Sequence, residues 1–241
     1  MRGQDIQRDL FRLVDRISHE IESFTDGLSD IEKNAAGSLE EWAPRDVITH
    51  LVFWQEHFNN KLSNARSGKK APSAGDYLDQ VNDGVFIQHA GQTFSDAKRE
   101  LNAALKRSRQ LLQEETDEEL TAPGRYEYLG ERTLLYDALG TIGWHIPFHL
   151  SDYTIKTGKK QAAIDLQEGI TTELSVFPGW EVNAVYNLAC FFAQNNEPEK
   201  ALENLRAAFK QKPDLREWAK QDSDLDSLQE HPEFKSLMQE S

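Results

Sequence analysis

The sequence predicts an all-α protein, an up-down four-helix bundle followed by a helical hairpin and a closing helix. Four long segments repeat apolar residues at intervals of three and four, which is the period of a helix that buries one face. We find no run in which apolar and polar residues alternate as they do in a strand. Amphipathic helices of this length bury their apolar faces against one another in a bundle.

The first two helices are predicted from apolar spacing and from one proline. An apolar stripe extends from Ile6 to Phe24 with charged residues between its members. The second helix is predicted to begin at Pro44, because a proline at the first helical position leaves no hydrogen bond unmade. It continues to about Leu62, where a stretch rich in glycine, proline and small polar residues predicts a loop.

The third and fourth helices complete the predicted bundle. Residues 77–89 are predicted to form a short helical excursion, and Ser95 is the predicted N-cap of the third long helix. The fourth helix is predicted from about Arg132 to Thr157, with Gly158 ending it.

The fourth helix contains residues that helices avoid. Gly140, Gly143 and Pro147 all fall inside it, and an interior proline costs about 3 kcal/mol. We therefore expect a kink near Pro147, which either a functional site or helix packing would explain.

The last third of the chain is predicted to be a separate helical segment. Gly-Lys-Lys-Gln at 158–161 is a plausible junction, which divides the chain into a bundle domain, 1–160, and a tail, 161–241. Small and large apolar residues in 182–215 resemble one tetratricopeptide repeat, a helix–turn–helix unit. The residues that carry this resemblance are Val185, Leu188, Ala189, Phe192, Ala201, Leu205, Ala208 and Pro213. A single repeat cannot bury its own apolar face, so we expect it to pack on the bundle, on flanking helices or on a partner.

Composition excludes several classes of protein. The chain carries 41 acidic and 27 basic residues, a formal charge of -14, which argues against a nucleic-acid-binding protein. It has no apolar run of about 18 residues, so we expect no membrane span. No secretory signal is visible, and the single cysteine, Cys190, excludes an intrachain disulfide framework. We therefore expect a cytoplasmic protein, with Cys190 as an inert core thiol.

A histidine pair is the sharpest chemical signal in the sequence. His145 and His149 are four residues apart, so on a helix both imidazoles lie on one face and can share a metal ion. Such pairs are also common as solvated or hydrogen-bonded residues. The natural third ligand is His50 on the second helix, and three histidines suit zinc, nickel or another first-row divalent ion.

The second helix offers further candidates around His50. Asp46, one turn earlier, is our candidate catalytic residue, because its carboxylate could accept the imidazole N–H of His50 and orient the ring. It could equally be an acid that the helix dipole favours in the first turn. Trp42 and Trp54 are candidate pocket walls or simply core anchors. We assign His57, seven residues after His50, a surface position.

The segment Leu39–Leu51, read as Leu-Glu-Glu-Trp-Ala-Pro-Arg-Asp-Val-Ile-Thr-His-Leu, with Trp54 following, resembles the second helix of the DinB/YfiT-like bundle superfamily. It looks closest to the branch of the colibactin self-resistance protein (ClbS/DfsB-like). The resemblance covers about residues 4–157 and implies a metal-binding triad of His50, His145 and His149. It also implies hydrolysis of small electrophilic compounds or thiol-dependent transfer to them.

These observations predict two functions of different classes. In the first, the protein is a divalent-metal-binding DinB-like enzyme that acts on a small electrophilic substrate, in detoxification or resistance. In the second, it is a non-catalytic interaction protein whose tail binds a protein partner or forms a homodimer.

Overall fold

A computed structural model describes residues 5–75 and 77–239 of the 241-residue chain. Within these ranges all regular secondary structure is helical, which confirms the predicted all-α class. The chain separates into two compact units, Met1–Ala163 and Ile164–Ser241. No helix among the described residues combines the length and the hydropathy that a membrane span requires.

The first unit is built from long helices joined by short ones. Its helices are α1 (Ile6–Asp26), α2 (Asp30–Lys33), α3 (Pro44–Arg66), α4 (Leu78–Gln88), α5 (Phe94–Gln113), α6 (Asp117–Thr121), α7 (Leu134–Ala138) and α8 (Ile146–Lys156). A 3-10 turn, Glu127–Leu129, precedes α7, and a π-helical segment, Leu139–His145, joins α7 to α8. The division between the units falls within α9 (Lys160–Leu174).

The core of the first unit lies between α1, α3, α5 and the segment from α7 to α8. The stripe predicted on α1 is buried, and Leu10, Ile17 and Ile21 have no exposed surface. Apolar residues of α3 and α5, such as Ile48 and Leu101, are equally buried. Removal of these side chains from water supplies the main stabilising free energy of the bundle.

A buried polar cluster joins α3 to α5. The side-chain amide of Gln55 donates to Ser108 Oγ at 2.7 Å, and that hydroxyl lies 2.7 Å from Asn59 Oδ1. The Asn59 amide donates to the carbonyl of Ala104 at 2.9 Å. Buried polar groups require such partners, so this cluster restricts how the two helices can slide along each other.

Two element boundaries differ from the sequence expectation. The N-cap of α5 is Thr93, whose hydroxyl accepts from the backbone N–H of Asp96 at 3.1 Å, so the prediction of Ser95 is wrong by two residues. Helix α3 begins at Pro44 as predicted but continues to Arg66, beyond Leu62.

The fourth predicted helix is interrupted by seven π-helical residues, Leu139–His145. In a π-helix each N–H bonds to the carbonyl five residues earlier, which adds nearly one residue to every turn. The segment contains Gly140 and Gly143 and ends two residues before Pro147, which lies in the first turn of α8. The expected irregularity at the proline therefore takes the form of a π-helix.

The second unit is helical throughout its regular parts. After α9 come α10 (Glu181–Gln194), α11 (Pro198–Gln211), α12 (Leu215–Ala219), a 3-10 segment (Ser223–Leu228) and α13 (Pro232–Leu237). Helices α10 and α11 form a hairpin whose turn contains Asn196 at φ 55°, a left-handed conformation that asparagine tolerates. Ala189, Phe192, Ala201 and Leu205 of this hairpin are buried.

Candidate metal centre

Three histidines from two distant parts of the chain meet inside the first unit. His50 lies on α3, His145 ends the π-helical segment and His149 lies on α8. The Nε2 atom of His145 is 3.1 Å from Nε2 of His50 and 3.1 Å from Nε2 of His149. The structure thus brings together the three histidines that were predicted to form a triad.

The spacing of these nitrogens suits a shared metal ion. Three nitrogens bound at 2.0–2.1 Å to a tetrahedral zinc ion lie about 3.3–3.4 Å from one another. Two nitrogen–nitrogen distances in the triad are 3.1 Å, and one ligand atom from each histidine lies within 4.8 Å of the others. Small side-chain movements would bring the three nitrogens to that geometry.

The environment keeps all three imidazoles neutral. Burial, together with the two neighbouring imidazoles, lowers the pKa of His50 to about 2. Burial likewise lowers the pKa of His145 to about 3 and that of His149 to about 4. A neutral imidazole offers a lone pair, which is the form that binds a metal.

The triad cannot satisfy its hydrogen bonds well by itself. Nε2 of His145 faces two other Nε2 atoms but can offer them only one proton or one lone pair. In addition, Nδ1 of His50 is buried and has no hydrogen-bond partner among the described residues. A cation between the three Nε2 atoms would use all three lone pairs at once.

The two tryptophans predicted as pocket walls both pack near His50. The ring centre of Trp42 is 4.9 Å from that of His50, and the ring centre of Trp54 is 6.3 Å away. Trp42 also stacks near His149, at 6.2 Å and 25° between the ring planes. The indole N–H of Trp54 donates to Asn82 Oδ1 of α4 at 3.0 Å, which holds that ring in place.

Each tryptophan lines a cavity that reaches one of the histidines. A cavity of 170 Å³ is lined by Trp42 and His149, together with Leu39, Glu40, Val47, Asp152, Tyr153 and Lys156. A cavity of 300 Å³, which we call the His145 cavity, is lined by Trp54, His57, Phe58, Lys61, Gly140, Thr141 and His145. Two cavities therefore reach the triad, one at His149 and one at His145.

Asp46 does not orient His50. Its Oδ2 accepts from the backbone N–H of Ala43 at 2.9 Å, and its Oδ1 accepts from the Arg45 guanidinium at 2.8 Å. Because Asp46 is the third residue of α3, its carboxylate reaches back to the helix N-terminus rather than forward to the imidazole. The hypothesis of an Asp46–His50 hydrogen bond is wrong, and Asp46 caps the helix that carries His50.

Sequence reasoning missed part of the surroundings of the triad. His57, which we had assigned to the surface, is half-buried and lines the His145 cavity with Lys61. His50, Trp54, His57 and Lys61 are spaced by four, three and four residues, which places them along one side of α3. That spacing was a usable signal, but it did not reveal which neighbouring segment would face it.

A family model described as the DinB superfamily matches residues 13–152, a range that contains all three histidines of the triad. No curated protein and no solved structure matches the chain.

Proposed function

Because the chain belongs to the DinB superfamily, we propose that it binds one divalent metal ion through His50, His145 and His149. The observation that carries this proposal is the convergence of three Nε2 atoms from three elements, with His50 and His145 separated by 95 residues in sequence. Three imidazoles without a carboxylate or thiolate suit zinc or nickel, the two ions that we favour.

The donor set leaves room for chemistry. Three protein ligands are typical of catalytic zinc sites, which keep a fourth position for water or substrate. When bound, the ion would act as a Lewis acid that makes a bound water or thiol a stronger nucleophile. We infer a hydrolase or a thiol-dependent transferase that acts on small electrophilic compounds.

The side chains of the site would prepare this chemistry by burial and by exclusion of water. Trp42 and Trp54 cover His50, whose side chain is almost completely removed from solvent. Low exposure strengthens the electrostatic interactions of the site, because the local dielectric constant is lower than that of water. The cavities beside His145 and His149 leave two routes by which a small molecule can approach.

Metal content of untagged protein tests the proposal. We expect one ion per chain after incubation with zinc or nickel, measured by elemental analysis and by titration calorimetry. Mutation of a residue that only hydrogen-bonds a metal ligand weakens metal affinity about 10–100-fold. Because His145→Ala removes a metal ligand itself, we expect it to weaken metal affinity by at least about 100-fold.

The matched control is His19→Ala, which removes an exposed histidine of α1 and should leave zinc affinity unchanged. Circular dichroism establishes whether each variant folds, and His149→Gln provides a second test of the triad. Clearly substoichiometric metal in the wild-type protein after zinc and nickel have both been added would contradict the proposal.

A second candidate function concerns the tail. We propose that the tail, whose hairpin of α10 and α11 resembles a tetratricopeptide repeat, associates with a second copy of the chain through α12, the helix that follows the hairpin. The observation that favours this function is Trp218, a large apolar side chain that is 68% exposed. Light scattering on the full chain should give the mass of a dimer for the wild type and of a monomer for Trp218→Asp. A wild-type monomer at high protein concentration would exclude this function.

A further inference from the structure

The His145 cavity has an uneven distribution of charge. Of the seven residues that line it, Lys61 is the single one with a formal charge. The Lys61 ammonium lies 3.4 Å from Asp137 Oδ2 and 4.6 Å from the ring centre of Tyr128, and its side chain is 18% exposed. The Arg132 guanidinium also lies 3.7 Å from Asp137 Oδ1, so two cations face one carboxylate. Lys61, Arg132 and Asp137 together therefore carry one net positive charge beside the cavity.

Two other polar side chains of the cavity, His57 and Thr141, make no hydrogen bond within the described part of the chain. The Lys61 ammonium can donate three hydrogen bonds, and it makes one within the described part of the chain, to Asp137 Oδ2. Three donors thus remain available around one small space.

The charges of Lys61 and Asp137 both act on His57. Burial lowers the pKa of His57, and the positive charge of Lys61 lowers it further, more strongly than Asp137 raises it. The charge of Lys61 is therefore only partly compensated where it faces the cavity. An anion placed there would be stabilised by that charge and by hydrogen bonds to it.

The apolar part of the cavity wall comes from two aromatic side chains, Trp54 and Phe58. Trp54, which Asn82 holds in place, forms one wall, and Phe58 is almost completely buried behind the cavity. A volume of 300 Å³ lies at the small end of the range for ligand sites. Such a cavity suits a molecule of about one ring with a single charged group.

We propose that the His145 cavity binds a small organic acid, whose carboxylate lies near Lys61 and whose apolar body packs against Trp54. Thr141 and His57 supply further hydrogen-bond donors to the carboxylate. This assignment gives a chemical class to the substrate of the proposed metal-centred reaction, and in that respect it rests on the proposed function. Binding of the acid itself requires only the cavity.

Benzoate and benzamide are matched probes, because they share a ring and differ in charge. We expect metal-free wild-type protein to bind benzoate at least about tenfold more tightly than benzamide, the gain from one hydrogen bond to a charged group. Affinities come from an NMR titration, in which the largest amide shifts should map to Lys61, Gly140 and Thr141. Equal affinities, binding of neither probe, or shifts that map elsewhere would overturn the proposal.

Variants separate charge from shape. Lys61→Met removes the ammonium but keeps a long side chain, so benzoate should lose its advantage while benzamide affinity stays the same. Lys61→Arg should keep the preference, and Thr141→Val should weaken benzoate binding severalfold with no loss of volume. Lys106→Met, which replaces an exposed lysine of α5, is the control that should change nothing. A preference for benzoate that survives Lys61→Met contradicts the proposal.

A zinc titration, run beside the benzoate titration, distinguishes the failure of this inference from the failure of the proposed function. If zinc fails to bind but metal-free protein prefers benzoate through Lys61, the metal proposal fails and the acid site stands. If zinc binds at the triad and benzoate shows no preference, the acid site fails alone.

Discussion

Gly37 and Asp46 make a close contact that helps to determine where α3 begins. A Cβ atom on Gly37 would lie 2.1 Å from Asp46 Oδ2 and 2.6 Å from the backbone nitrogen of Ala43. The same carboxylate oxygen accepts the hydrogen bond of Ala43. Any side chain at position 37 would therefore separate the preceding loop from the cap of the helix that carries His50.

We expect Gly37→Ala to lower the free energy of unfolding by about 1–3 kcal/mol, because the added methyl group meets backbone and a hydrogen-bonded carboxylate. Urea denaturation measures this change. Gly84→Ala is the matched control: its Cβ would meet nothing within 4 Å, and alanine should stabilise α4 by about 0.5–1 kcal/mol. Equal effects of the two substitutions would show that the contact at Gly37 is unimportant.

Cys190 is a second residue whose behaviour follows from its surroundings. Its side chain is buried on α10, and burial raises the pKa of the thiol, with the negative charges of Asp222 and Asp224 raising it further. The thiolate is the reactive form of cysteine, and its population here is very small.

Iodoacetamide at pH 8 should therefore alkylate folded wild-type protein at least about 100-fold more slowly than the chain unfolded in urea. Mass spectrometry measures the rate. Gln221→Cys in a Cys190→Ala background places the only cysteine at an exposed position and should react at the same rate in both states. Rapid labelling of native Cys190 would contradict its assignment as an inert core thiol.

At the scale of elements, the α3–α5 pair is held by more than apolar packing. Gln55, Asn59 and Ser108 are almost completely buried, and their hydrogen bonds connect residues about 50 positions apart. A slide of one helix along the other would leave these groups unpaired, which is costly in a buried site. The cluster therefore favours one register between the helix of His50 and its neighbour.

Ser108→Ala should lower the free energy of unfolding by about 1–3 kcal/mol, because it leaves Gln55 and Asn59 short of partners. Urea denaturation again gives the value. The control is Asn102→Ala, which removes an exposed polar side chain from the same helix and should change stability by less than about 0.5 kcal/mol. A neutral Ser108→Ala would mean that the cluster adds no stability.

The π-helical segment is the element that distinguishes this bundle from one of regular helices. Its seven residues change the angle between successive side chains around the helix axis just before His149, and His145 is the last of the seven. π-Helical turns are rare and are concentrated at functional sites. Gly140 and Thr141 belong to this segment, so the irregular element also supplies part of the wall of the His145 cavity.

At the scale of the whole molecule, the candidate chemistry belongs to one of two units. All three histidines of the triad lie within Met1–Ala163, whereas Cys190 and the hairpin of α10 and α11 lie within Ile164–Ser241. A ligand that binds only the folded state stabilises it by mass action. The elements that hold that ligand should gain the most protection.

Zinc at about 100 times its dissociation constant should stabilise the folded state by about 2.7 kcal/mol. Hydrogen-exchange mass spectrometry should place the added protection in α3 and in the segment from α7 to α8. His145→Ala should abolish the effect and His19→Ala should leave it intact. Protection by zinc that persists in His145→Ala would indicate a different binding site.

The sequence by itself determined where the helices form and which residues are candidates for chemistry. Apolar spacing predicted the helical class, Pro44 predicted the start of α3, and the histidine pair with the resemblance to the superfamily indicated the triad. These features are local, because helical period, capping and residue type depend on neighbours within a few positions. For the same reason the errors at Ser95 and at the end of α3 were small.

Only the tertiary structure decided what those residues do. Asp46 could face the imidazole or the helix N-terminus, and the approach of Gly37 and the backbone of Ala43 settled this in favour of the cap. His57 and Lys61 became part of a cavity because a π-helical segment lies opposite them, and no period in the sequence reveals that segment. The burial of a side chain and the charges around it depend on elements that are far apart in sequence. The amino-acid pattern therefore predicts the histidines, but the fold determines their neutral state and the access to them.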